Sequence, residues 1–506
     1  MNIMKSRFKI YIASVCLGIL MACFSGCSDF LNEQNKSAIT QENYFTTPEQ
    51  AKAAINGIYS NLYSFQQTLL YGEAAWVSLE MIVGHATTLG QSLYNNGLIM
   101  HDNATFEPHF QVLWDGFYEG IANANLSIKN IPEIDMAEGE KKMLMGQAYF
   151  LRAFYYYYLV RLYGDIPLIT EPINYSSPDL YPEKDSKELV YDLIISDLKI
   201  AEESGLPFAD ATGKVSLSAV KSLLASVYLT MAGEPLNKGN EYYTLAAKKA
   251  EEVIDKKSHT LFTSYRKLHD RSSKNKGEFI FQIQYKYGIQ DNNITEMVTP
   301  DKIGISQLSG EIGALVPRSE FVESYEEGDL RAQEKQFFFT EYVSRTNPDN
   351  KIVFGEYALY KFWLEEAAGV NGDRQSDLNW TIFRLPEIML IYAEATNEVS
   401  GPTAKAYDQV NQIRERAQLD PLQNLTKDEF REAVWRERYH ELCFENKAYF
   451  DIQRTHKVYN LKEGNFEDVF SYVNESGVKF TPQYMLWPIP QSEIDANNKL
   501  TQNEGW

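Results

Sequence analysis

Between Ser216 and Ala232 the apolar residues Val220, Leu224, Val227, Tyr228 and Met231 recur at i, i+4, i+7, i+8 and i+11. That spacing draws one stripe along a helix. Gly233 and Pro235 then stop it. A second helix is predicted over Tyr242–Lys256, where Ala246, Ala247 and Ala250 let a neighbour approach closely. The pairing recurs at Val112–Asn130 with Glu140–Tyr163, and at Pro386–Glu398 with Pro402–Arg416. Each stripe must be buried against another helix, so the chain is predicted to be mainly α, a scaffold of paired helices.

Short helices joined by tight turns, with small residues inside and aromatic bulk between, resemble tetratricopeptide units, although no strict period of about 34 residues runs through the chain. Helical patterning is predicted from a cap at Thr47 and Pro48 to about Lys257. Residues 258–385 break it and read as a loop-rich insert with a few short strands. Glu278–Tyr285 alternates, with Phe279, Phe281, Ile283 and Tyr285 on one side, and Lys351–Phe362 is a second strand candidate. Loops carried on a rigid scaffold are where binding groups usually sit.

The N-terminus reads as an export signal. Lys5, Arg7 and Lys9 precede an apolar run from Ile10 to Phe24, too short to span a bilayer, and Ser25-Gly26 puts small residues ahead of Cys27. A cysteine at the cut resembles a bacterial lipobox, with Phe24 standing where Leu is usual. Leu20-Met21-Ala22-Cys23 is a competing frame, and secretion with an unmodified thiol is the plain alternative. The expected organisation is a signal at 1–26, a lipidated tether at 27–47 starting with Cys27, and one domain over 48–506. Removing the signal leaves 480 of 506 residues and takes the net charge from −21 to −24. That acidity argues against nucleic acid, whose phosphates would be repelled. With Cys27 acylated, Cys443 is the single remaining thiol, which rules out a disulfide framework or a cysteine-rich zinc site in the mature chain.

Enzyme motifs are missing: there is no G-x-S-x-G, no phosphate-cradling Gly-Lys-Ser/Thr, no H-E-x-x-H, and no cofactor signature. Glu437-Arg438-Tyr439-His440 has the Glu-x-x-His spacing of carboxylate-bridged metal bundles, but that chemistry needs a second such motif. Thr426 and Glu429 form a capping box, and Arg431, Arg436, Glu437, Arg438, Glu441 and Glu445 read as an ion-pair network. Glu365, Glu366, Asp373 and Asp377 beside Trp363 and Trp380 are the best grouping for glycoside hydrolysis. Asp373–Asn379 offers oxygens to calcium but misses the EF-hand spacing.

Aromatics make up 13% of the chain, with 33 tyrosines, a surplus suited to gripping amphipathic ligands. Trp114 and Trp435 lie in helical stripes and are expected in the core. The Tyr155–Tyr158 run circles a helix, so at least half of it should be buried. Trp76, Tyr94, Tyr285, Tyr287, Trp363 and Trp380 sit in turn-rich sequence, where rings can stack on the C–H faces of sugars while Asn96, His101 and Asn292 bond hydroxyls. The competing reading is satellite packing beneath loops.

Several runs together resemble the SusD/RagB family of outer-membrane nutrient-binding lipoproteins. They are Cys27-Ser28-Asp29-Phe30-Leu31; Ala148–Phe154 followed by Tyr163–Leu168; Arg384–Ala395; Glu437-Arg438, Glu441-Leu442, Phe444-Glu445 and Tyr449–Arg454; Leu486–Pro490; and Gln502–Trp506. The resemblance implies a non-enzymatic lipoprotein, anchored on the exterior of the outer membrane, that caps a SusC-type TonB-dependent transporter. Its variable loops would hold an oligosaccharide or a peptide, and its helices would support docking. It also implies that Glu387, Glu394, Arg438 and Glu441 are scaffold pairs, and that Tyr94–His101 and Tyr285–Asn292 fall in the variable loops. A helical-repeat interaction scaffold and a surface glycosidase are the alternatives from other classes.

Overall fold

A capping box opens the first helix, α1 (Pro48–Ser60): Thr47 accepts from the Gln50 N–H, and the Gln50 side chain bonds back to the Thr47 N–H. The computed structural model describes residues 44–506, apart from 68–73, 90–92, 106–107, 175, 179, 302, 307–310 and 365–375. The signal, Cys27 and most of the tether therefore lie outside the described residues. Two short helices follow, α2 (Ala75–Met81) and α3 (Leu93–Met100), and then the long members of the scaffold. These are α4 (Gln111–Asn130), α5 (Glu138–Tyr163), α6 (Lys187–Glu202), α7 (Leu217–Ala232) and α8 (Asn240–Asp255). The insert carries α9 (Ile294–Val298) and α10 (Ser319–Glu323), and the chain returns to α11 (Leu385–Ser400), α12 (Ala404–Arg416), α13 (Lys427–Glu441), α14 (Ala448–Thr455) and α15 (Gln491–Ala496).

The long helices pack in relay: α1 on α4, α4 on α5, and so on through α8, which leans on α11, which in turn meets α12 and α13. At the centre is α5, buried nearly all round over its C-terminal half, as a helix without a polar face must be. All four residues of the Tyr155–Tyr158 run are buried. The Tyr155 hydroxyl donates to Ile58 O, Tyr156 to Ile169 O and Tyr157 to Ser226 O, so three phenols tie one helix to three neighbours. Gly120 makes the α4–α5 contact possible: a Cβ there would lie 2.4 Å from the Tyr155 ring. Ser216 caps α7 through the Ala219 N–H, and α7 ends at Gly233.

Among the described residues, strands occur as four separate antiparallel pairs: β1 (Ala86–Thr87) with β3 (Val316–Pro317), β2 (Phe279–Ile283) with β6 (Trp380–Arg384), β4 (Phe338–Val343) with β5 (Lys351–Leu359), and β7 (Lys457–Asn460) with β8 (Asn465–Asp468). Among the described residues no helix is long and apolar enough to cross a membrane.

Two expectations need adjusting. Among the described residues of 61–110 the helical pattern continues only in short pieces, α2, α3 and 3-10 turns at 61–66 and 108–110. The backbone between them is drawn to distant partners, Leu89 N–H to Gly313 O and the Arg318 N–H to His85 O. The strand predicted within 278–285 is β2, and all five of its residues are buried, with Phe281 edge-on to Phe150 at 5.3 Å and the Gln282 amide bonded to Thr381 Oγ1. Trp114 is buried as expected, but Trp435 is half-exposed and covers Phe466 of the β7–β8 hairpin.

Buried charges weld the insert to the scaffold. Arg384, at the end of β6, pairs with Glu278, Glu441 and Glu445, and Arg416 pairs with Glu278 and Glu441. Arg331 reaches Asp329, Glu437 and Glu441. Farther along, Arg438 reaches Glu387 and Asp451, and Arg454 pairs with Glu394. The charges read from the 431–445 sequence are all in ion pairs, but with partners on other elements or, for Arg431, Asp428, and not with one another.

Candidate functional site

The chain leaves β2 at Ile283 and forms a short hairpin, 286–290, whose base is fixed by buried groups. The Tyr285 N–H donates to Asn379 Oδ1 at 2.9 Å, and its hydroxyl donates to Gln66 Oε1. Asn292 exchanges backbone bonds with Ser376, and its amide donates to Leu378 O at 2.7 Å. Asn293 reaches Gln66 O. Above this base Lys286 and Gln290 pair, and Gly288 turns the chain at φ 70°, a conformation glycine adopts without strain. The turn holds Tyr287 39% exposed and Ile289 73% exposed, beside Lys286, Gln290 and Asp291.

Neighbouring loops are laced to the same end of the molecule. Ile312, Gly313 and Leu315 donate backbone bonds to Glu296, Thr299 and Met297, and Leu89 donates to Gly313. Glu311 accepts the N–H groups of Ile305 and Ser306, pinning that turn. On α3, Asn96 and Met100 are exposed. The result is one cluster of bonded loops, 285–301, 311–316 and 376–379 with Leu89, that exposes Tyr287, Ile289 and Gln290.

The structure distributes the expected contact residues unevenly. Tyr287 and Asn96 face solvent. The side chain of Tyr94 lies outside the described residues, although its backbone is in α3. His101 is half-buried, stacked on Tyr484 at 4.3 Å and edge-on to Phe480. Burial lowers its pKa to about 4, so it is a neutral imidazole at pH 7.

The other five are corrected: Trp76, Tyr285, Asn292, Trp363 and Trp380 are buried, and none offers a ring face or amide to a ligand at the surface. Trp76 and Trp380 pack 5.0 Å apart, and Phe362 stacks on Trp380 at 5.6 Å. Trp363 belongs to a separate small core with Phe339 and Tyr342. Satellite packing wins because large rings near a loop gain more from a dry neighbour than from water. Sequence reasoning passed over Leu89 and Ile289, exposed apolar residues whose cue was an adjacent Gly with no helical or strand period, and Met100, exposed at the end of α3.

The described members of the catalytic and metal groupings have other partners. Asp377 is buried and bound to Arg271 at 2.7 Å and Lys274 at 3.4 Å. Trp363 and Trp380 lie in different cores, and Glu365, Glu366 and Asp373 fall outside the described residues. In the calcium candidate, Asn379 Oδ1 is taken by Tyr285. Glu437 is held by Arg331 and Arg414, while His440 stacks on Tyr325 at 4.2 Å and meets Ser324 Oγ. Burial, helped by Arg331 and Arg436, keeps that imidazole neutral. Among the described residues no group of three or more His, Cys, Asp or Glu is placed to hold a metal. Burial raises the Cys443 thiol to about 11, which leaves it inert.

With this geometry in place, comparison with known proteins is informative. A family model described as "SusD family" matches residues 331–506, and one described as "Starch-binding associating with outer membrane" matches residues 29–229. SusD-like protein P2 of Formosa agariphila is 30% identical, covering 96% of this chain and 97% of its own length. A SusD superfamily protein from Parabacteroides distasonis superposes with a TM-score of 0.87 at 38% identity, over 93% of this chain and all of its own. Surface glycan-binding protein A from Bacteroides uniformis shares the fold at 22% identity and a TM-score of 0.74, over 90% and 99%.

Proposed function

This chain belongs to the SusD family, and from that premise we propose that it captures an oligosaccharide on its loop cluster and delivers it to a SusC-type TonB-dependent transporter in the outer membrane. The observation that carries the reading is the 286–290 hairpin, which holds Tyr287 and Ile289 in water on a base of buried hydrogen bonds. A ring presented this way can stack on the C–H face of a sugar, while Gln290 bonds its hydroxyls. Because the base is already ordered, little entropy is spent on binding. The glycan-binding name of the B. uniformis relative supports sugar as cargo.

Acylation at Cys27 would hold the protein at the membrane, where tethering makes a weak site effective by raising the local concentration of cargo at the pore. The family description that mentions outer-membrane association agrees with such an anchor. Binding, not turnover, is the chemistry this face favours, since the acids traced near it are committed to cations or backbone.

The test is calorimetry on the detergent-solubilised full chain against a panel of plant, host and microbial oligosaccharides and of peptides. Oligosaccharide binding with no new reducing ends after overnight incubation is expected. Capture of peptides alone would replace the cargo, and turnover would replace the class of function. Co-purification of a β-barrel transporter with the lipidated protein tests the partner.

A further inference from the structure

A second opening lies away from the loop cluster, where the C-terminal end of α5, the start of α6, the end of α7, α14 and the 485–503 segment meet. It is a cleft of about 260 Å³, and none of its lining residues belongs to the loops described above. Drug-sized pockets run from roughly 300 to 1,000 Å³, so this one suits a single small ring and not an oligomer.

Its charge is unusual for this protein. On a chain with a net charge of −21, the lining carries four cations, Arg161, Lys184, Lys187 and Arg454, against two carboxylates, Asp165 and Glu234. Arg454 is neutralised by Glu394 and Asp451. Arg161 is not: its Nε donates to Tyr157 O at 3.0 Å, and no carboxylate among the described residues pairs with it. Three rings hold its guanidinium in place, with their centroids 3.7 Å (Tyr157), 3.6 Å (Phe450) and 4.6 Å (Tyr158) from the central carbon. A fork so fixed is preorganised for a planar oxyanion.

At the rim, among the described residues, the Lys187 ammonium has no ion-pair partner, and the Lys184 ammonium bonds Thr501 O and Asn503 Oδ1 and feels the charge of Asp165. Asp165 is partly spent, accepting the Lys187 N–H as the cap of α6. A smaller cavity of about 30 Å³ shares Arg161, Thr230, Phe450 and Arg454 with the cleft. Arg438, only 6% exposed, faces into it with Nη1 lacking a hydrogen-bond partner, and Ser226 Oγ and Asn446 Oδ1 on the same lining also lack one. The two carboxylates on that lining, Glu387 and Asp451, are already paired with Lys447, Arg438 and Arg454. The site thus has an unpaired guanidinium at its wall and unsatisfied polar groups behind it.

We propose that this cleft is a second ligand site, for a molecule of monosaccharide size carrying one carboxylate. The carboxylate sits on the Arg161 fork within reach of the lysines, and the ring lies against Val160, Phe450 and Leu486. The reading is independent of what the loop cluster binds.

Calorimetry on the full chain in detergent at low ionic strength, with glucuronate, glucose and inorganic phosphate as probes, tests it. Glucuronate should bind at least tenfold more tightly than glucose or phosphate and weaken as salt is added. Arg161→Gln should lower glucuronate affinity at least tenfold. Lys187→Gln, a change at a partly exposed ammonium without an ion-pair partner among the described residues, should lower it about threefold and remains informative if the Arg161 variant misfolds. Equal affinity for glucose and glucuronate, no glucuronate binding, or binding that both folded variants retain overturns the site. Phosphate binding as tightly as glucuronate overturns the sugar-acid assignment.

Discussion

Glu441→Gln probes how the scaffold holds the insert. The Glu441 carboxylate is fully buried and meets Arg384 at 2.6 Å, Arg416 at 2.5 Å and Arg331 at 3.2 Å. Burial alone would raise its pKa, but Arg416, Arg384, Arg331 and Lys361 outweigh it and hold the group down at about 2. Against the ordinary value of 4.5, that depression corresponds to about 3 kcal/mol. Breaking one buried pair typically costs about 3–5 kcal/mol, because the partner charge is left uncompensated.

For a chain of 506 residues the unfolding entropy is about 1 kcal/mol/K, so the melting temperature should fall only about 3–5 °C. Urea denaturation is therefore the assay: the midpoint should drop with an unchanged slope. The sign in pH follows from the depressed pKa. The contribution is fully present above 4.5 and is lost as pH falls toward 2, so the gap between wild type and variant should narrow over that interval. A loss below about 1 kcal/mol at pH 7, or a gap independent of pH, would refute the reasoning.

The other predictions are briefer. Trp380→Ala should cost about 3–5 kcal/mol by opening the Trp76–Phe362 cluster, while leaving oligosaccharide affinity unchanged below the unfolding transition; urea melts and calorimetry check it. Gly120→Ala should cost about 1–3 kcal/mol, because the new methyl meets the Tyr155 ring; an unaltered midpoint would mean that α4 and α5 separate freely. Cys27→Ala should abolish metabolic labelling with palmitate and move the protein from membrane to soluble fractions. Labelling lost in Cys23→Ala instead would shift the anchor to the competing frame.

What the sequence made legible was local. Ser216 and Gly233 bound α7, Thr47 with Pro48 opens α1, Thr426 with Glu429 caps α13, and each signal lies within a turn of the element it sets. That the α13 charges would be paired could be read from their density, but not with whom, because Glu437, Arg438 and Glu441 find their partners on other elements. The contact residues were harder, since burial of a loop ring is decided by partners far along the chain. Tyr285 is covered by Gln66, and the Trp76 carbonyl is capped by Asn446. Nothing near residue 285 distinguishes Tyr285 from Tyr287, which lies two places on and faces water. Only the turn at Gly288, seen with the bonds of the hairpin base, separates them.

The central claim, that the exposed hairpin grips a sugar, is tested most directly by Tyr287→Ala and Ile289→Ser combined in the full chain. Stability should stay within about 0.5 kcal/mol of wild type, as for exposed positions generally. Affinity for the oligosaccharide found in the panel should fall at least tenfold, about 1.4 kcal/mol, near what loss of ring stacking and apolar contact supplies. Undiminished oligosaccharide affinity in a fully folded double variant would contradict it.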